Sequence, residues 1–332
     1  MNAGHTLHAF PRLHFGLVDL SGATSRAYGG LGAAIDGPCV AVQARGATGF
    51  QLDVNGADDE VRTKIAVALG RARESGLALG GRFTLIKQLP SHMGLGSTTA
   101  TIMALLQSVA IVNQWPLTSA QLIELSGRGR TSAVGCNTFF DGGLVADAGQ
   151  PGHPISSYLP SLRPQDRGPS LRLGRWRMPS RWVVRLIMCT NVPSVPPADE
   201  AKFFAAAAPT DPPDTLDQLA YVYHGIIPAA IEGDLDCFAT SLRHFQSEGF
   251  KAREIDAQPD TVQATLRRLW AADFAAGLSS LGPALFVVSE QATMDLRPYI
   301  PLGAEILGPF PFRNNGFGLL ATSNPGAEAA DA

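Results

Sequence analysis

The chain has 332 residues, of which 17% are charged, and a formal net charge of −3. A balance so close to neutral excludes the basic field that a nucleic-acid partner needs, and the length suits one large core or two lobes. Cys39, Cys136, Cys189 and Cys237 stand far apart with no C-x-x-C pair, so neither a structural zinc site nor a disulfide framework is expected, and a reducing cytoplasm fits.

The opening run, "MNAGHTLHAFPRLHFG", has no continuous apolar stretch behind a basic start and does not read as a signal peptide. From Leu13 to Leu17 apolar residues alternate with Arg12, His14 and Gly16. That is the period of a half-buried strand with Arg12 and His14 on its second face. In "SGATSRAYGGLGAAID", Gly29, Gly30 and Gly32 suit a tight hairpin or a functional loop. Residues 58–75 carry Val61, Ile65, Ala68, Leu69 and Ala72 on one helical stripe, with Asp58 placed to cap it and Gly76 to stop it. "GRFTLIKQLP" alternates again and ends at Pro90, which predicts a strand.

Ile102, Leu105, Leu106 and Val109 then recur at helical spacing, and Thr118 with Gln121 has capping-box spacing ahead of Leu122, Ile123 and Leu125. "TSAVGCNTFFDGGLVADAG" is dense in small residues, as where backbone approaches a ligand or another strand closely. Residues 151–180, with six prolines, show neither period and predict an irregular connection between lobes spanning 1–150 and 181–322. Beyond it, "RWVVRLIMC" reads as a strand. Residues 214–232, 235–248 and 260–272 read as helices behind Asp214, Asp234 and Asp260, and "GPALFVVSE" as a returning strand. "WVVRLIMC", the most apolar stretch, contains Arg185 and falls far short of the about 20 residues a bilayer needs, so no membrane partner is expected. Residues 323–332 are expected to fray.

The junction "LPSHMGLGSTTA" (89–100) carries the chemistry. A glycine-rich turn feeding a helix offers unpaired backbone N–H groups and a positive dipole end, which suit phosphate. No lysine follows the second glycine, so this is not a P-loop, and the third glycine of the dinucleotide fingerprint is missing. Gly94, Leu95, Gly96, Ser97 and Thr98 are therefore candidate phosphate ligands of another type, set against a plain strand-to-helix turn.

"PxxxGLGSTT" (90–99) resembles the phosphate-loop motif of the superfamily of galactokinase, homoserine kinase, mevalonate kinase and phosphomevalonate kinase (GHMP). "RLHFGLVDLSGATSRAYGGLGAAIDGP" (12–38), "HMGLGSTTA" (92–100), "GRGRTSAVGCNTFFDGGLVADAG" (127–149) and "GLSSLGPALF" (277–286) are similar, in order and spacing, to blocks of one branch, the β-ribofuranosylaminobenzene 5'-phosphate synthases. Kinases lack the first and third blocks in this form. The resemblance implies an α+β, two-lobed GHMP-kinase-like fold, with a ribosomal-protein-like N-terminal lobe and a ferredoxin-like C-terminal lobe. It also implies a cytoplasmic, homodimeric phosphoribosyltransferase that uses Mg2+. Such an enzyme joins phosphoribosyl pyrophosphate to a para-substituted benzoate, 4-hydroxybenzoate or 4-aminobenzoate, through a carbon–carbon bond. It releases pyrophosphate and CO2, a step toward methanopterin-type cofactors.

That reaction sets requirements. Departure of pyrophosphate leaves positive charge on the ribose, so the site needs anion stabilisers at the leaving group and negative charge near the sugar. Gly94, Gly96, Ser97 and Thr98 suit the first need. Asp19 and Asp141 suit the second, with Asp19 also assigned the acceptor's proton. Arg26, and secondarily Arg12 and His14, are expected to orient phosphate or benzoate. Arg128 and Arg130 are further phosphate candidates, and Ser279 and Ser280 of the last block are assigned to substrate binding. Metal ligands stay unassigned. His92 is as readily a polar turn residue, Asp147 reads as structural, and His224 and His244 as ordinary helix residues. The chain has "ADAG" where the branch usually has Asp-Gly-Gly, and Leu278 and Leu281 where it usually has Gln and Trp. The acceptor side therefore departs from the pattern more than the donor side. A kinase using ATP at the same loop and a binding paralogue without catalysis are the competing readings. The first block disfavours the kinase, and Asp19, Arg26 and the glycine loop disfavour the paralogue.

Overall fold

The computed structural model describes residues 4–91, 93–151, 168–189, 192 and 197–321. His92, residues 152–167 of the proline-rich segment and the tail 323–332 lie outside the described residues.

The chain opens with β1 (His5–Ala9) and, across Pro11, β2 (Arg12–Asp19); β3 (Arg26–Ala34) pairs antiparallel with β2. After β4 (Val40–Arg45) and β5 (Phe50–Asp53) comes α1 (Asp59–Glu74), whose predicted apolar stripe is buried. β6 (Gly81–Lys87) leads through the glycine turn into α2 (Ser97–Asn113). α3 (Ser119–Ser126) starts in the expected capping box, where the Gln121 N–H donates to the Thr118 hydroxyl and the Thr118 N–H donates to the Gln121 side chain. The small-residue stretch that follows holds α4 (Val134–Asp141) and β7 (Leu144–Asp147), with the short β8 (Gln150–Pro151) just after it.

β9 (Arg172–Trp176) pairs with β7, which corrects the expectation of an irregular connection throughout 151–180. This edge strand is half-buried at best, so its sequence shows no apolar alternation. β10 (Val183–Met188), α5 (Pro197–Ala207), α6 (Pro212–Tyr221), α7 (Ile227–Glu232) and α8 (Leu235–Gln246) follow. The helix expected over 214–232 is broken by a π-turn at Val222–Ile226, just before Pro228, whose ring cannot follow an unbroken α-ladder. Asp234 caps α8 as expected, accepting the Cys237 N–H at 2.9 Å. Asp214 instead lies within the first turn of α6. α9 (Gly249–Asp256), α10 (Asp260–Ala271, entered from Pro259), β11 (Ala275–Leu278), β12 (Leu285–Ser289), β13 (Glu305–Pro311) and β14 (Gly318–Ala321) complete the chain.

The result is a mixed α+β fold whose described residues form three sheets, ordered β14-β1-β4-β6-β5, β2-β3-β7-β9 with β8 on β3, and β11-β12-β10-β13. The apolar faces of α1 and α2 cover the first sheet, burying Ile65, Leu69, Ile102 and Leu106 against Phe83. A second core joins Leu13, Phe15 and Leu31 of β2 and β3 to Trp182, Phe238 and Phe286. The N-terminal hairpin and the C-terminal sheet therefore share one interior. β2 is buried along both faces rather than one, and a bulge between His14 and Gly16 re-aims its side chains. Its apolar face meets the second core, while the face bearing Arg12 and His14 meets a cavity.

Candidate active site

α2 begins at Gly96, which sits in the left-handed region (φ 79°), and has neither a side-chain cap nor an acidic residue in its first turn. The N–H groups of Ser97, Thr98 and Thr99 thus have no helical acceptor, and the positive dipole end is unbalanced. The loop before it is held from below. The Arg12 guanidinium and the Ser279 hydroxyl (2.7 Å) both donate to the Gly94 carbonyl, and the Arg12 N–H donates to the Leu95 carbonyl at 3.2 Å. The His14 N–H donates to the Ser279 hydroxyl at 3.1 Å, and the Ser280 N–H donates to the His14 carbonyl at 2.9 Å. β2, the glycine turn and the serine turn are therefore one interlocked unit. A Cβ on Gly94 would collide with the Ser279 carbonyl, and one on Gly96 would stand 3.2 Å from the Arg12 guanidinium carbon.

Beside this helix start lies a cavity of about 80 Å³ whose lining includes Arg12, His14, Thr99, Arg128, Ser132 and Glu200. Arg12 is half-buried, and its Nε is sealed from solvent with no hydrogen-bond partner. Burial first, and then the neighbouring Arg128, bring its pKa down to about 10. The Arg128 Nε donates to the Thr99 hydroxyl at 3.1 Å. Glu254 also borders the cavity and is paired with Lys251 at 2.9 Å, whose ammonium donates to the Ser280 carbonyl at 2.6 Å. Glu200 makes no hydrogen bond among the described residues. Burial, with Glu254 and Glu60 nearby, pushes its pKa up to about 7 against the opposing pull of Arg128 and Lys64.

A hydrogen-bonded chain runs from the cavity into the sheet. His14 Nε2 lies 3.1 Å from the Ser132 hydroxyl, which donates to Asp147 Oδ2 at 2.9 Å. Asp147 also accepts the Ala133 N–H at 2.9 Å and the Gly149 N–H at 3.1 Å, while burial pushes its pKa up to about 6. Gly30 has to be glycine here, because a Cβ would collide with the Ser132 hydroxyl and approach His14 Nε2 to 2.9 Å.

Among the residues expected from sequence, Arg12, His14, Arg128 and Ser280 line this cavity, with Gly94, Leu95, Gly96, Ser97, Thr98 and Ser279 forming the adjoining loop and helix start. The others lie elsewhere. Asp19 is buried, but its two oxygens accept five hydrogen bonds from its own loop: the N–H groups of Ser21, Gly22 and Thr24 and the hydroxyls of Ser21 and Thr24. Arg26 donates to the carbonyls of Ala148 (2.6 Å) and Gly149 (2.9 Å), clamping β3 to the turn after β7. Both border a separate apolar cavity of about 260 Å³ against Leu219 and Tyr223. Asp141 ends α4 in an exposed ion pair with Arg172, and Arg130 pairs with Glu124. Ser132, Glu200 and Glu254 had no separate signal, Thr99 was marked only as the last residue of the glycine-loop motif, and Asp147, read as structural, anchors the chain to His14. Of the two leucines that depart from the family pattern, Leu281 lines the cavity and Leu278 is sealed in the C-terminal core. Among the described residues no group of three or more His, Cys, Asp or Glu is placed to hold a metal. No helix among them is long and apolar enough to cross a membrane.

Residues 62–142 match the family model described as the GHMP kinase N-terminal domain, and these hold most of α1, then β6, the glycine loop, α2, α3 and α4. The homoserine kinase of Cytophaga hutchinsonii superposes with a TM-score of 0.64 at 15% identity, over 96% of this chain and 98% of that one. The fold is thus of the GHMP type. Over 306 residues, 90% of this chain and 92% of the relative, the sequence is 30% identical to the β-ribofuranosylphenol 5'-phosphate synthase of Methanothermobacter thermautotrophicus. It is 28% identical to the Archaeoglobus fulgidus protein of the same name over 84% of this chain and 86% of that one. The chain belongs to the family of β-ribofuranosylphenol 5'-phosphate synthases.

Proposed function

We propose that this protein is a decarboxylating phosphoribosyltransferase that makes a C-riboside from phosphoribosyl pyrophosphate and a para-hydroxylated benzoate, releasing pyrophosphate and CO2 in methanopterin-type cofactor synthesis. The relatives' shared name, which specifies a ribofuranosylphenol phosphate, supports this product class. The observation in the site that carries it is the uncapped N-terminus of α2 beside a cavity lined by Arg12 and Arg128. An anion placed there meets the positive dipole end and two guanidinium groups together. The pyrophosphate of the donor meets the first N–H groups of α2, Arg12 and Arg128, which stabilise the charge it carries away. The cavity is smaller than the roughly 300 Å³ floor of small-ligand sites, so it receives the diphosphate end and the rest of the donor extends outward.

Magnesium suits this arrangement. It is held by one or two carboxylates and completes its shell with phosphate oxygens and water, so a cluster of three carboxylates is not required. Glu200, with no hydrogen bond among the described residues, and the Thr99 hydroxyl are the oxygens that would hold it. It would neutralise the leaving pyrophosphate. The family resemblance supports a homodimer and a cytoplasmic location. Binding is tested by melting. With magnesium present, phosphoribosyl pyrophosphate at 100 times its Kd should stabilise the fold by about 2.7 kcal/mol. A shift with ATP and none with the ribosyl donor would return the site to the kinases.

A further inference from the structure

We infer that His14 is the base that takes the acceptor's hydroxyl proton, and that Ser132 and Asp147 are positioning residues that fix its tautomer. The inference rests on the transferase reading. It begins with hydrogen-bond accounting around Ser132, whose hydroxyl has one proton to give and two lone pairs to fill. Asp147 Oδ2 already accepts the Ala133 N–H, and its partner oxygen accepts the Gly149 N–H, so the ionised carboxylate can only accept from Ser132. The Ser132 oxygen accepts the Val134 N–H at 3.3 Å. Its remaining lone pair faces His14 Nε2 at 3.1 Å, which must therefore carry the proton. Nδ1 is left with the lone pair.

That nitrogen is suited to accept a proton from substrate. His14 lines the cavity, and Nδ1 has no hydrogen-bond partner among the described residues, yet is absent from the sealed, unpartnered atoms of the interior. Burial, reinforced by Arg12 and then Lys251, holds the imidazole well below its usual pKa, so it stays neutral. A weak neutral base is sufficient, because the acceptor's hydroxyl becomes strongly acidic only as the ring gives up electrons. Asp19, with both carboxylate oxygens filled by its own loop, is not available for this step.

The step balances as follows. The hydroxyl proton passes to Nδ1, and the oxygen lone pair becomes a carbonyl. The ring carbon bearing the carboxylate forms its bond to the anomeric carbon as the bond to pyrophosphate breaks, with that electron pair leaving on pyrophosphate. The carbon–carboxylate bond then breaks, CO2 departs, its electron pair restores the aromatic ring, and the oxygen recovers the proton from His14.

The experiment compares 4-hydroxybenzoate with 3,5-difluoro-4-hydroxybenzoate, whose hydroxyl is already ionised at neutral pH, in the wild type, His14→Gln and Ser132→Ala, with folding followed by melting. His14→Gln should lower kcat for 4-hydroxybenzoate by roughly 10²- to 10⁴-fold, with Ser132→Ala losing less, and donor KM should change little. With the difluoro acceptor most of that loss should vanish. Equal losses with both acceptors, or no loss, would overturn the assignment while leaving the transferase reading intact. A wild type that forms no C-riboside would sink that reading instead. Nitrogen-15 histidine spectra of the wild type test the tautomer without any substitution. Protonated Nε2 and bare Nδ1 at His14 are expected, and the reverse would overturn the relay.

Discussion

Arg12 is an expensive residue to keep inside an unliganded protein. Its Nε is sealed from solvent and unpartnered, and a second arginine stands nearby. Such a group belongs to a site whose occupant compensates it. Arg12→Met keeps the length of the side chain and removes the unsatisfied donor, while the Gly94 carbonyl retains its bond from Ser279. The melting temperature of the unliganded variant is therefore expected to equal or exceed that of the wild type, and the shift caused by phosphoribosyl pyrophosphate should be lost. Calorimetric melting with and without the donor checks both. A large fall in unliganded stability with donor binding preserved would show that Arg12 is a structural strut. At this scale the sequence marked Arg12, His14 and Arg128, which the fold brings to one cavity. It did not show which residues are already bonded to their neighbours. Asp19 and Asp147 look alike in the chain, yet one is filled by its own loop and the other is joined through the Ser132 hydroxyl to His14 on β2, a distinction that only the meeting of distant segments creates.

The element that matters most is the glycine turn with α2. Its strand, turn and helix order was legible because Gly94, Gly96 and the apolar spacing of Ile102, Leu105 and Leu106 sit on the local chain. What lay beneath it was not, since Ser279 and Ser280 arrive from far along the sequence. Gly96 is held at φ 79° with the Arg12 side chain directly under it. Valine there would cost about 1–2 kcal/mol for the left-handed backbone alone, before any push on Arg12. Gly96→Val is expected to fold with a lowered melting temperature and to lose donor binding at least about 100-fold, the effect of forfeiting two charge-assisted contacts. Titration of the folded variant measures this, and unchanged donor affinity would make the turn purely structural. α4 and β9 escaped the sequence for opposite reasons. The first is only eight residues long, too short for a helical period to stand out, and the second is an edge strand with little buried face.

Across the whole molecule, the last strand, β14, returns to pair with β1, and Phe15 of β2 packs on Phe238 and Phe286 with ring centroids 6.0 and 5.5 Å apart. The site therefore stands on both halves of the chain. β2 supplies Arg12 and His14, α2 the uncapped helix end, α4's entry Ser132, and the C-terminal half Glu200, Glu254 and the serine turn. The GHMP scaffold and the family's chemistry were legible as ordered blocks of sequence, whereas the joining of halves was not, because no local period encodes it. The central claim is that this scaffold couples pyrophosphate departure to decarboxylation rather than moving a phosphoryl group. The direct measurement uses 4-hydroxybenzoate labelled in its carboxyl carbon, incubated with the protein, magnesium and either phosphoribosyl pyrophosphate or ATP. The account predicts labelled CO2, pyrophosphate and C-riboside in equal amounts with the ribosyl donor and none with ATP. Retention of the label, together with ADP formation from ATP, would contradict it.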